Sequence, residues 1–544
     1  INNIFNNYYV DLGKNVKNKY RYVLDLKKFG ISEESVEDIY QNLKNENQED
    51  KKITDRLGKI LEQYIKEKYD LKFNEIGLFT ILIDGVPLCD FQAYREKVKC
   101  EKLKFENKKS NENYNQYCSM CGKDENLTDD LTGIQIKFYT TNQVIFSSNL
   151  SRKNYSKNMI LCQNCLNKLL AGESYIKNNL STNLAGFSVY LVPHFVYGEP
   201  LSKEELDYIS ENIQNSFNTV KSFKSIEEMR TNARNSILSR DEKSFYLLNL
   251  IFYKSAQAST KVQKLIKDVD PSIFDEINYN STRTYELAKS ILSNKWKTGM
   301  NLGSIYYLIP VKIVNGEPKQ YKSLLSLYDA LFTRRNIQKS TIIENVIKAV
   351  NVIYFEKEGF NINSKYNSIY STVLNGNLCI EFMRYMGCMK EEMAMDTEDL
   401  KLKDHIKNYI ENMKYNEQET AMFLLGYLIG EIGNAQYRRL HKNSGENNTD
   451  SKKPILNKLN YSGIDKNKII RLTTEVFGKM NQEKIRHYNE VIFNELKRLL
   501  DMNIKKWKMN KHENLFYVLS GYSYNTARAI LNNKKKEEVI SDEQ

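Results

Sequence analysis

The sequence has no apolar run long enough to cross a lipid bilayer. Its longest apolar stretches, residues 245–253 and 421–429, hold nine residues each, whereas a spanning helix needs about 20. No secretory signal is visible in the polar opening segment. Cysteine is scarce, at 8 in 544 residues, which does not fit a secreted scaffold held by disulfides. These absences predict a cytoplasmic protein with no membrane partner.

The motifs of common enzyme classes are missing too. There is no GxxxxGK[ST] phosphate-binding loop and no GxSxG nucleophile elbow. A hydrolytic metal site needs clustered histidines and carboxylates with an open coordination position. The pair Asp404-His405 has no convincing companions, and we interpret it as a surface step of a polar helix. The 5 histidines are scattered without paired helical spacing: His194, His405, His441, His487 and His512. We therefore predict that the chain is not an enzyme.

The charge is positive overall. Lys and Arg number 80 against 68 Asp and Glu, a net charge of +12. Such an excess suits a polyanionic partner, because Lys and Arg that neutralise phosphates release condensed counterions. The chain is also crowded with Lys, Asn, Ile and Tyr, residues that AT-rich codons favour, so genomic bias is an alternative origin. Charge alone does not choose between the two.

Hydrophobic patterning predicts a mixed α/β first half. Ser32 is predicted to cap a helix whose inner face carries residues 36, 39, 40 and 43. The Asp84-Gly85 step between two apolar runs predicts a tight hairpin. Three further elements are predicted: an alternating strand at Ile134, Ile136 and Phe138, a strand over residues 187–195, and a helix opened by a capping box of Ser202 and Glu205.

From about Cys379 onward the alternation disappears and amphipathic helices follow one another. The clearest helix begins at Asn416, which is predicted to form a capping box with Glu419. Further helices are predicted over residues 466–479, 483–500 and 516–531, the second with Tyr488, Ile492 and Leu499 facing inward. Residues 441–454 form a polar loop. Four or more helices of this length predict a bundle.

The strongest chemical signal is a pair of CxxC knuckles, Cys118–Cys121 and Cys162–Cys165, separated by 40 residues. Two knuckles complete a tetrahedral sulfur shell, and in a reducing compartment this favours structural Zn2+ over disulfides. Four protein ligands leave no open position, so the ion is expected to be architectural. Four unrelated buried thiols, or a metal site lost by drift, are the alternatives. Four cysteines without partner spacing are predicted to be core residues: Cys89, Cys100, Cys379 and Cys388.

The insert between the knuckles ends in a segment rich in cations, amides and hydroxyls. Arg and Lys can hold phosphates, Asn can read base edges, and Tyr155 can stack on a base. On residues alone, a solvated loop in an Asn/Lys-rich proteome is the favoured interpretation. Together these patterns predict an α+β protein in four parts: a mixed α/β N-terminal region (residues 1–116), an inserted four-cysteine zinc module (117–168), a mixed α/β region (169–375) and an all-α C-terminal helical bundle (376–544).

Taken in order, these features resemble the large subunit of the type I-B CRISPR Cascade complex. The zinc module lies in the first third, and its second knuckle follows a basic run that starts at Arg152. The middle carries LYDALFTRR (residues 327–335). The helical part carries FLLGYLIG (423–430), KPILNKL (453–459) and FYVLSGY (516–522). The resemblance spans most of the chain, and only the knuckles are individually specific.

This resemblance implies a non-catalytic subunit of an RNA-guided assembly. Guide RNA pairs with the target DNA, while the large subunit recognises the protospacer-adjacent motif in duplex DNA and helps R-loop formation. The implied partners are guide RNA, target DNA, the backbone and small subunits of Cascade, and a separate helicase-nuclease that the large subunit recruits. The C-terminal bundle is similar to the small subunit.

On this resemblance, particular basic residues become candidates for nucleic-acid contact. The leading candidates for duplex DNA are Arg152, Lys153, Asn154 and Lys157, with Arg334 and Arg335 second. Candidates for single-stranded phosphate are Arg438, Arg439, Lys505, Lys506 and Lys508, with Tyr437 and Trp507 as stacking residues. Solvated cations that complement helix dipoles are the alternative for each.

Three other functions remain open. A zinc-containing RNA-processing or nuclease enzyme would cleave nucleic acid in a metal-dependent way as the purified chain. The signalling polymerase of a type III CRISPR complex would need a Gly-Gly-Asp-Asp cluster, which this sequence lacks. A pure protein–protein scaffold would show no salt-sensitive binding to DNA or RNA.

Overall fold

The computed structural model describes thirteen stretches of the chain: residues 7–46, 48–77, 80, 82–102, 116–131, 133–136, 144–151, 154–197, 201–221, 245–256, 259–296, 299–443 and 454–541. The chain divides into two compact units, residues 1–116 with 124–130 and residues 117–123 with 131–544. No helix in the described stretches is both long enough and apolar enough to span a membrane.

The first unit is a small α/β assembly. Its core forms where Val36, Ile39 and Tyr40 pack with Ile53 and Leu57 of the next helix. The helices are α1 (Asn18–Arg21), α2 (Val36–Asn45), α3 (Lys52–Tyr69) and α4 (Gln92–Lys102). The strands are β1 (Tyr9–Asp11) paired with β2 (Tyr22–Leu24), β3 (Leu82–Ile83) paired with β4 (Val86–Pro87), and β5 (Leu127–Thr128).

The helix and the hairpin predicted for this unit are both present, but the cap of the helix differs from the prediction. The helix over residues 36–45 is present, but its cap is Ser35, whose Oγ accepts the Asp38 N–H at 3.2 Å. The Ser32 hydroxyl instead donates to the Glu34 carbonyl at 2.9 Å. The hairpin turns at Asp84 and Gly85, both with positive φ, as a two-residue loop requires. Its strands are only two residues long.

The second unit contains the remaining elements. Its helices are α5 (Tyr155–Asn158), α6 (Gln163–Asn179), α7 (Lys203–Lys221), α8 (Ile273–Ile291), α9 (Leu302–Tyr306), α10 (Lys322–Phe332), α11 (Lys339–Tyr354), α12 (Ile369–Tyr385), α13 (Asp404–Asn412), α14 (Glu417–Asn443), α15 (Lys466–Gln482), α16 (Arg486–Asn503) and α17 (Lys511–Ser541). Its strands are β6 (Leu161–Cys162), β7 (Ser181–Leu184), β8 (Phe187–Tyr197), β9 (Phe245–Ala256), β10 (Ser259–Val269), β11 (Lys312–Val314) and β12 (Glu317–Lys319).

Four strands form an antiparallel sheet in the order β10-β9-β8-β7. Alternate residues face opposite sides: Leu191 and Leu250 enter the main core, whereas Tyr190 and Ile251 form a second cluster with Ile136. The predicted strand over residues 187–195 is confirmed as β8, and the Ser202–Glu205 capping box is present before α7. The alternating strand predicted at residues 134–138 is reduced to one bridge, from Ile136 to Thr260; Phe138 lies outside the described residues.

One continuous hydrophobic core joins the sheet to the helices that follow it, from Leu184 to Ala527. Helix α12 belongs to this core and contacts α8, α11 and α17. It begins at Ile369, so it runs across residue 376, where the sequence analysis places the start of the bundle. The sheet and the helices therefore share one interior.

Helices α14 and α17 are in backbone contact at the centre of the bundle. A Cβ placed on Gly426 would lie 1.8 Å from the Val518 carbonyl oxygen, and one on Gly521 would lie 1.9 Å from the Phe423 carbonyl oxygen. The capping box predicted for α14 is confirmed by reciprocal hydrogen bonds between Asn416 and Glu419. The inward orientation predicted for Tyr488 is wrong: its side chain is 78% exposed.

Candidate metal centre and nucleic-acid interface

The first CxxC knuckle is a tight turn within the second unit. The Cys118 N–H donates to the Lys123 carbonyl at 2.7 Å, and the Gly122 N–H donates to the Cys118 carbonyl at 2.9 Å. Gly122 has a φ of 72°, a conformation that costs glycine little and other residues more. The turn places both cysteines of the pair on one side.

The second knuckle is a strand-to-helix junction. Cys162 ends β6 and occupies the N-cap position of α6, and Cys165 lies in the first turn of that helix. Leu161 and Leu166 are fully buried beside them, which fixes the helix start. Thiolates at this position face the positive end of the helix dipole, so the junction suits sulfur ligands.

Two hydrogen bonds join the knuckles across the intervening insert. The Ser119 N–H donates to the Ile160 carbonyl at 2.8 Å, and the Ile160 N–H donates to the Ser119 Oγ at 3.2 Å. As a result the four sulfur atoms lie within 4.8 Å of one another. The Cys121 and Cys162 sulfurs are 3.6 Å apart, too far for a disulfide bond of about 2.05 Å.

This arrangement fits a metal ion. A tetrahedral ion with metal–sulfur bonds of about 2.3 Å places its sulfur ligands about 3.8 Å apart, close to the separation seen here. Cys118, Cys162 and Cys165 are buried, and Cys121 is exposed. The sulfur-only donor set is one that zinc and other thiophilic metals accept. The four cysteines can therefore hold a metal ion, as the spacing predicted.

The local environment separates the acidities of two thiols. Burial raises the pKa of Cys118, but hydrogen bonds from the backbone N–H groups of Cys162, Cys121 and Met120 outweigh it and lower the pKa to about 6. Hydrogen bonding to the Cys121 sulfur, together with burial, raises the pKa of Cys165 to about 12. Backbone N–H groups directed at sulfur stabilise thiolate, the form that binds a metal.

The cluster is anchored to the sheet through α6. The Glu173 carboxylate of that helix accepts the backbone N–H groups of Gln135 and Ile136. Lys177 pairs with Glu173 at 3.5 Å and donates to the Gln135 side chain at 2.7 Å. The Gln135 carbonyl in turn accepts the Thr260 N–H at 2.7 Å. The segment that follows the first knuckle is thus held between α6 and the edge strand β10.

The remaining cysteines divide between core and surface. Cys379 and Cys388 are buried, as predicted, and burial raises their pKa values to about 12 and about 11. Cys89 is exposed, so its assignment to the core is wrong. The side chain of Cys100 lies outside the described residues.

The predicted duplex-contact segment is only partly described. Arg152 and Lys153 lie outside the described residues. The Asn154 amide donates to the Ser148 carbonyl at 2.7 Å, so one of its two amide hydrogens stabilises the local turn. Lys157 lies in α5 with an exposed side chain. Only two residues separate it from Ile160, which is bonded to the first knuckle.

Three predicted arginines are engaged in ion pairs. Arg334 pairs with Glu276, and Arg335 pairs with Asp329 at 2.9 Å. Arg439 pairs at 2.9 Å with Glu483, whose side chain is only 4% exposed. These guanidiniums neutralise carboxylates of their own fold, and a phosphate would compete with those partners.

A different arrangement holds at the turn between α16 and α17, here named the lysine turn (Lys505, Lys506 and Lys508). All three side chains are exposed, and no ion pair engages them within the described part of the chain. Gln418 clamps the backbone: its Nε2 donates to the Lys506 carbonyl at 3.2 Å, and its Oε1 accepts the Lys508 N–H at 3.0 Å. Trp507 packs against the core and donates its Nε1–H to Asn514 at 2.9 Å, so its ring is used structurally.

Arg438 and Tyr437 lie beside a cavity that the sequence did not indicate, here named the α14–α17 cavity. His405, Arg528 and Asn525 line it together with them. His405 is half-buried there, so its interpretation as a surface residue is corrected. One signal was available: Tyr427, Glu431, Asn434 and Arg438 recur at the spacing of one helical face.

Comparison with known families assigns both halves of the second unit. A model of the central domain of the CRISPR-associated protein TM1802 matches residues 115–269, and a model of its C-terminal domain matches residues 300–537. Together they span well over half of the chain. The first match contains the four cysteines and the sheet, and the second contains the lysine turn and the α14–α17 cavity. No curated protein matches the chain.

Proposed function

Because the chain belongs to the TM1802 family of CRISPR-associated proteins, we propose that it is the non-catalytic large subunit of an RNA-guided type I-B surveillance complex. In this role it recognises the protospacer-adjacent motif in duplex DNA, helps R-loop formation and recruits a separate helicase-nuclease. Matches to two successive domains of one CRISPR-associated family carry the proposal. The resemblance of the motifs to the Cascade large subunit supplies the specific role.

In this proposal the cysteine cluster holds one structural Zn2+. All four ligand positions are filled by protein sulfurs, so no position remains for a substrate or an activated water. The ion fixes the start of α6, and α6 fixes the segment after the first knuckle through Glu173. In this role the zinc ion holds the recognition segment in place and does not take part in a reaction.

Duplex recognition is assigned to the segment 152–157. In sequence only two residues separate its end from Ile160, which is hydrogen-bonded to Ser119 of the first knuckle, so the chain leads from it directly into the metal site. Lysine and arginine side chains here would contact phosphates or the acceptor-rich edge of guanine. The rigid support matters because an ordered contact residue loses less side-chain entropy on binding.

The lysine turn is assigned to phosphate binding along a nucleic-acid strand. Three exposed cations on a clamped backbone offer a compact positive site, and none of them forms an ion pair with a carboxylate of the described residues. Lysine serves as a point charge for phosphate and does not require bidentate geometry. The turn therefore contributes affinity and salt dependence rather than sequence preference.

The test uses the assembled guide-RNA complex and duplexes that differ only in the motif beside the guide-matched segment. We expect R152A/K153A/K157A to reduce the preference for the correct motif by about tenfold or more, because each lost base or phosphate contact costs about 1–3 kcal/mol. The variant K348A/K401A/K466A removes the same three charges from exposed positions elsewhere and should leave the preference unchanged. Unaltered discrimination by the first variant, or metal-dependent cleavage by the purified chain, would contradict the proposal.

A further inference from the structure

The α14–α17 cavity has a volume of about 350 Å3 and lies between the start of α13, the C-terminal half of α14 and α17. That volume is at the lower end of the range for small-ligand sites, about 300–1,000 Å3. It is large enough for a nucleotide-sized group and too small for a folded segment of a partner. Its walls come from helices that share the main core, so the cavity is built on a rigid scaffold.

Two guanidiniums give the cavity its positive charge. Arg438 and Arg528 both line it, and within the described residues neither forms an ion pair with a carboxylate. Among the described lining residues, the one acidic side chain is that of Glu431, which accepts a hydrogen bond from Asn525 Nδ2 at 2.5 Å. Asn525 Oδ1 accepts in turn from Asn434 Nδ2 at 2.7 Å. Two cations against one carboxylate leave a net positive site.

Hydrogen-bond accounting identifies the tautomer of His405. The hydroxyl of Tyr524 donates its single proton to the His405 carbonyl at 2.8 Å. The 3.1 Å contact between the same hydroxyl oxygen and His405 Nδ1 must therefore be donated by Nδ1–H. In a neutral ring this leaves Nε2 as a hydrogen-bond acceptor. Burial, followed by the charges of Arg528 and Lys403, lowers the pKa of His405 to about 4, so the ring is neutral at physiological pH.

The cavity thus combines planar cationic donors, a neutral acceptor and an aromatic side chain. Guanidinium groups match the geometry of phosphate oxygens better than ammonium groups do. Tyr437 is 46% exposed and lines the cavity, and an aromatic side chain at such a position can stack with a base. A base inside a duplex has both faces covered by its neighbours, so only an unpaired nucleotide can use such a surface.

We propose that the α14–α17 cavity binds one nucleotide of a nucleic-acid single strand, with its phosphate held by Arg438 and Arg528 and its base against Tyr437. The class of partner rests on the proposed function. The site itself is additional to the duplex-contact segment and to the lysine turn. The neutral Nε2 of His405 can accept a hydrogen bond from an amino or imino group of the base.

The direct test measures binding of a labelled oligothymidylate to the purified full-length chain over a series of salt concentrations. R438A/R528A should weaken binding by at least tenfold and lower the salt slope by about 0.7, since the two arginines hold one phosphate and each phosphate neutralised on a single strand contributes about 0.7. R438K/R528K should keep the slope and still lose several-fold in affinity. The control R471A/R486A removes two exposed arginines of other helices and should bind as the wild type does.

A second readout does not depend on affinity. An oligonucleotide carrying a photoreactive pyrimidine should crosslink to the peptide that contains Tyr437, and Y437A should abolish that crosslink. Thymidine monophosphate should compete for binding in a way that requires both arginines, which would show that a free nucleotide and a strand use the same site. Competition by inorganic phosphate at the same concentration would contradict a role for the base.

The failures of the two proposals are distinguishable. Equal oligothymidylate binding by the wild type and R438A/R528A, or no single-strand binding by the chain, would overturn the cavity proposal alone. The motif preference of the assembled complex would be untouched by that result. Unaltered motif discrimination by the R152A/K153A/K157A complex, together with oligothymidylate binding that depends on Arg438 and Arg528, would overturn the large-subunit role and leave the cavity site.

Discussion

Cys162 supplies a sulfur to the cluster and is the N-cap residue of α6. We therefore expect C162S to abolish stoichiometric metal binding and to lower the free energy of unfolding by about 4 kcal/mol or more, the range seen when a structural metal is lost. Elemental analysis of the purified protein gives the metal content and identifies the metal. Thermal unfolding gives the change in stability.

The matched control is C89S, which removes an exposed thiol outside the cluster. It should retain one equivalent of zinc and the wild-type unfolding temperature. A C162S protein that still carries one equivalent of zinc would show that the four cysteines are not the ligand set. Iron in place of zinc would correct the proposed metal while leaving the site intact.

His405 predicts a pH dependence of stability. Its pKa is lowered from 6.5 to about 4 in the folded chain, so between these values the unfolded state binds a proton that the folded state does not. The contribution of His405 to the free energy of unfolding is fully present above about pH 6.5, and it decreases as the pH falls toward 4. H405N lacks the titrating ring, while its amide can still donate to Tyr524.

The measurement is chemical unfolding of the wild type and H405N at pH 7 and pH 5. The wild type should lose stability relative to H405N on acidification, because all other titrating groups cancel in the comparison. An identical difference at both pH values would contradict the assignment of a neutral, depressed His405.

At the scale of residues, the role of a side chain was predictable where a short sequence motif reveals it. It was not predictable where it depends on a partner that is distant in sequence. The spacing of Cys118 and Cys121 reveals ligands because the motif is contiguous. By contrast, Arg439 resembles any exposed cation until Glu483 is found beside it. His405 lacked a sequence signal for the same reason, since its partner Tyr524 is 119 residues away.

At the scale of elements, the contact between α14 and α17 depends on the absence of a side chain. G426A would force its Cβ into the Val518 carbonyl oxygen, so the helices must separate. We expect the free energy of unfolding to fall by about 3 kcal/mol, the upper part of the range for overpacking.

G478A is the control: its position in α15 is exposed, and a Cβ added there would have no atom within 4 Å. It should be neutral or stabilising by about 0.5–1 kcal/mol. Equal unfolding temperatures for the two variants would contradict this packing.

The lysine turn depends on its clamp as well as on its charges. Q418A removes both hydrogen bonds that hold the backbone of Lys506 and Lys508, at a stability cost of about 1 kcal/mol. Salt-dependent binding of DNA should weaken about threefold through loss of order, although no charge is removed. K505A/K506A/K508A should weaken it by tenfold or more and also reduce the salt slope.

Q482A serves as the control for the clamp, because Gln482 is exposed at the end of α15 and its side chain accepts a hydrogen bond from Lys479 of the same helix. It should bind DNA as the wild type does. Equal binding by Q418A and Q482A would indicate that the turn is ordered without Gln418, or that its lysines do not contact DNA.

The elements themselves were largely predictable, and their limits were less so. The capping boxes that begin at Ser202 and Asn416 were predictable because both partners of a capping box lie within three residues of each other in the sequence. Ser32 and Ser35 are both plausible caps, and the choice depends on which hydroxyl finds a free N–H. Tyr488 was placed inward by periodicity, but the core side of α16 is filled by Ile492 and Leu499.

At the scale of the whole molecule, the α+β class was predictable from the change in periodicity, whereas the shared interior was not. Sequence patterns show which face of an element is apolar but not which other element covers it. The continuous core from Leu184 to Ala527 and the helix α12 across residue 376 therefore appear only in the structure. The metal cluster was predictable as a ligand set, and its anchoring through Glu173 was not.

The most direct test of the central claim is target-DNA binding by the reconstituted guide-RNA complex, assembled with and without this chain. The substrates should differ only in the motif beside the guide-matched segment. We predict that omission of the chain abolishes the dependence of binding on that motif, and that adding the chain back restores it. Motif discrimination that persists without the chain, or failure of the chain to join the complex, would contradict the assignment of this protein as the large subunit.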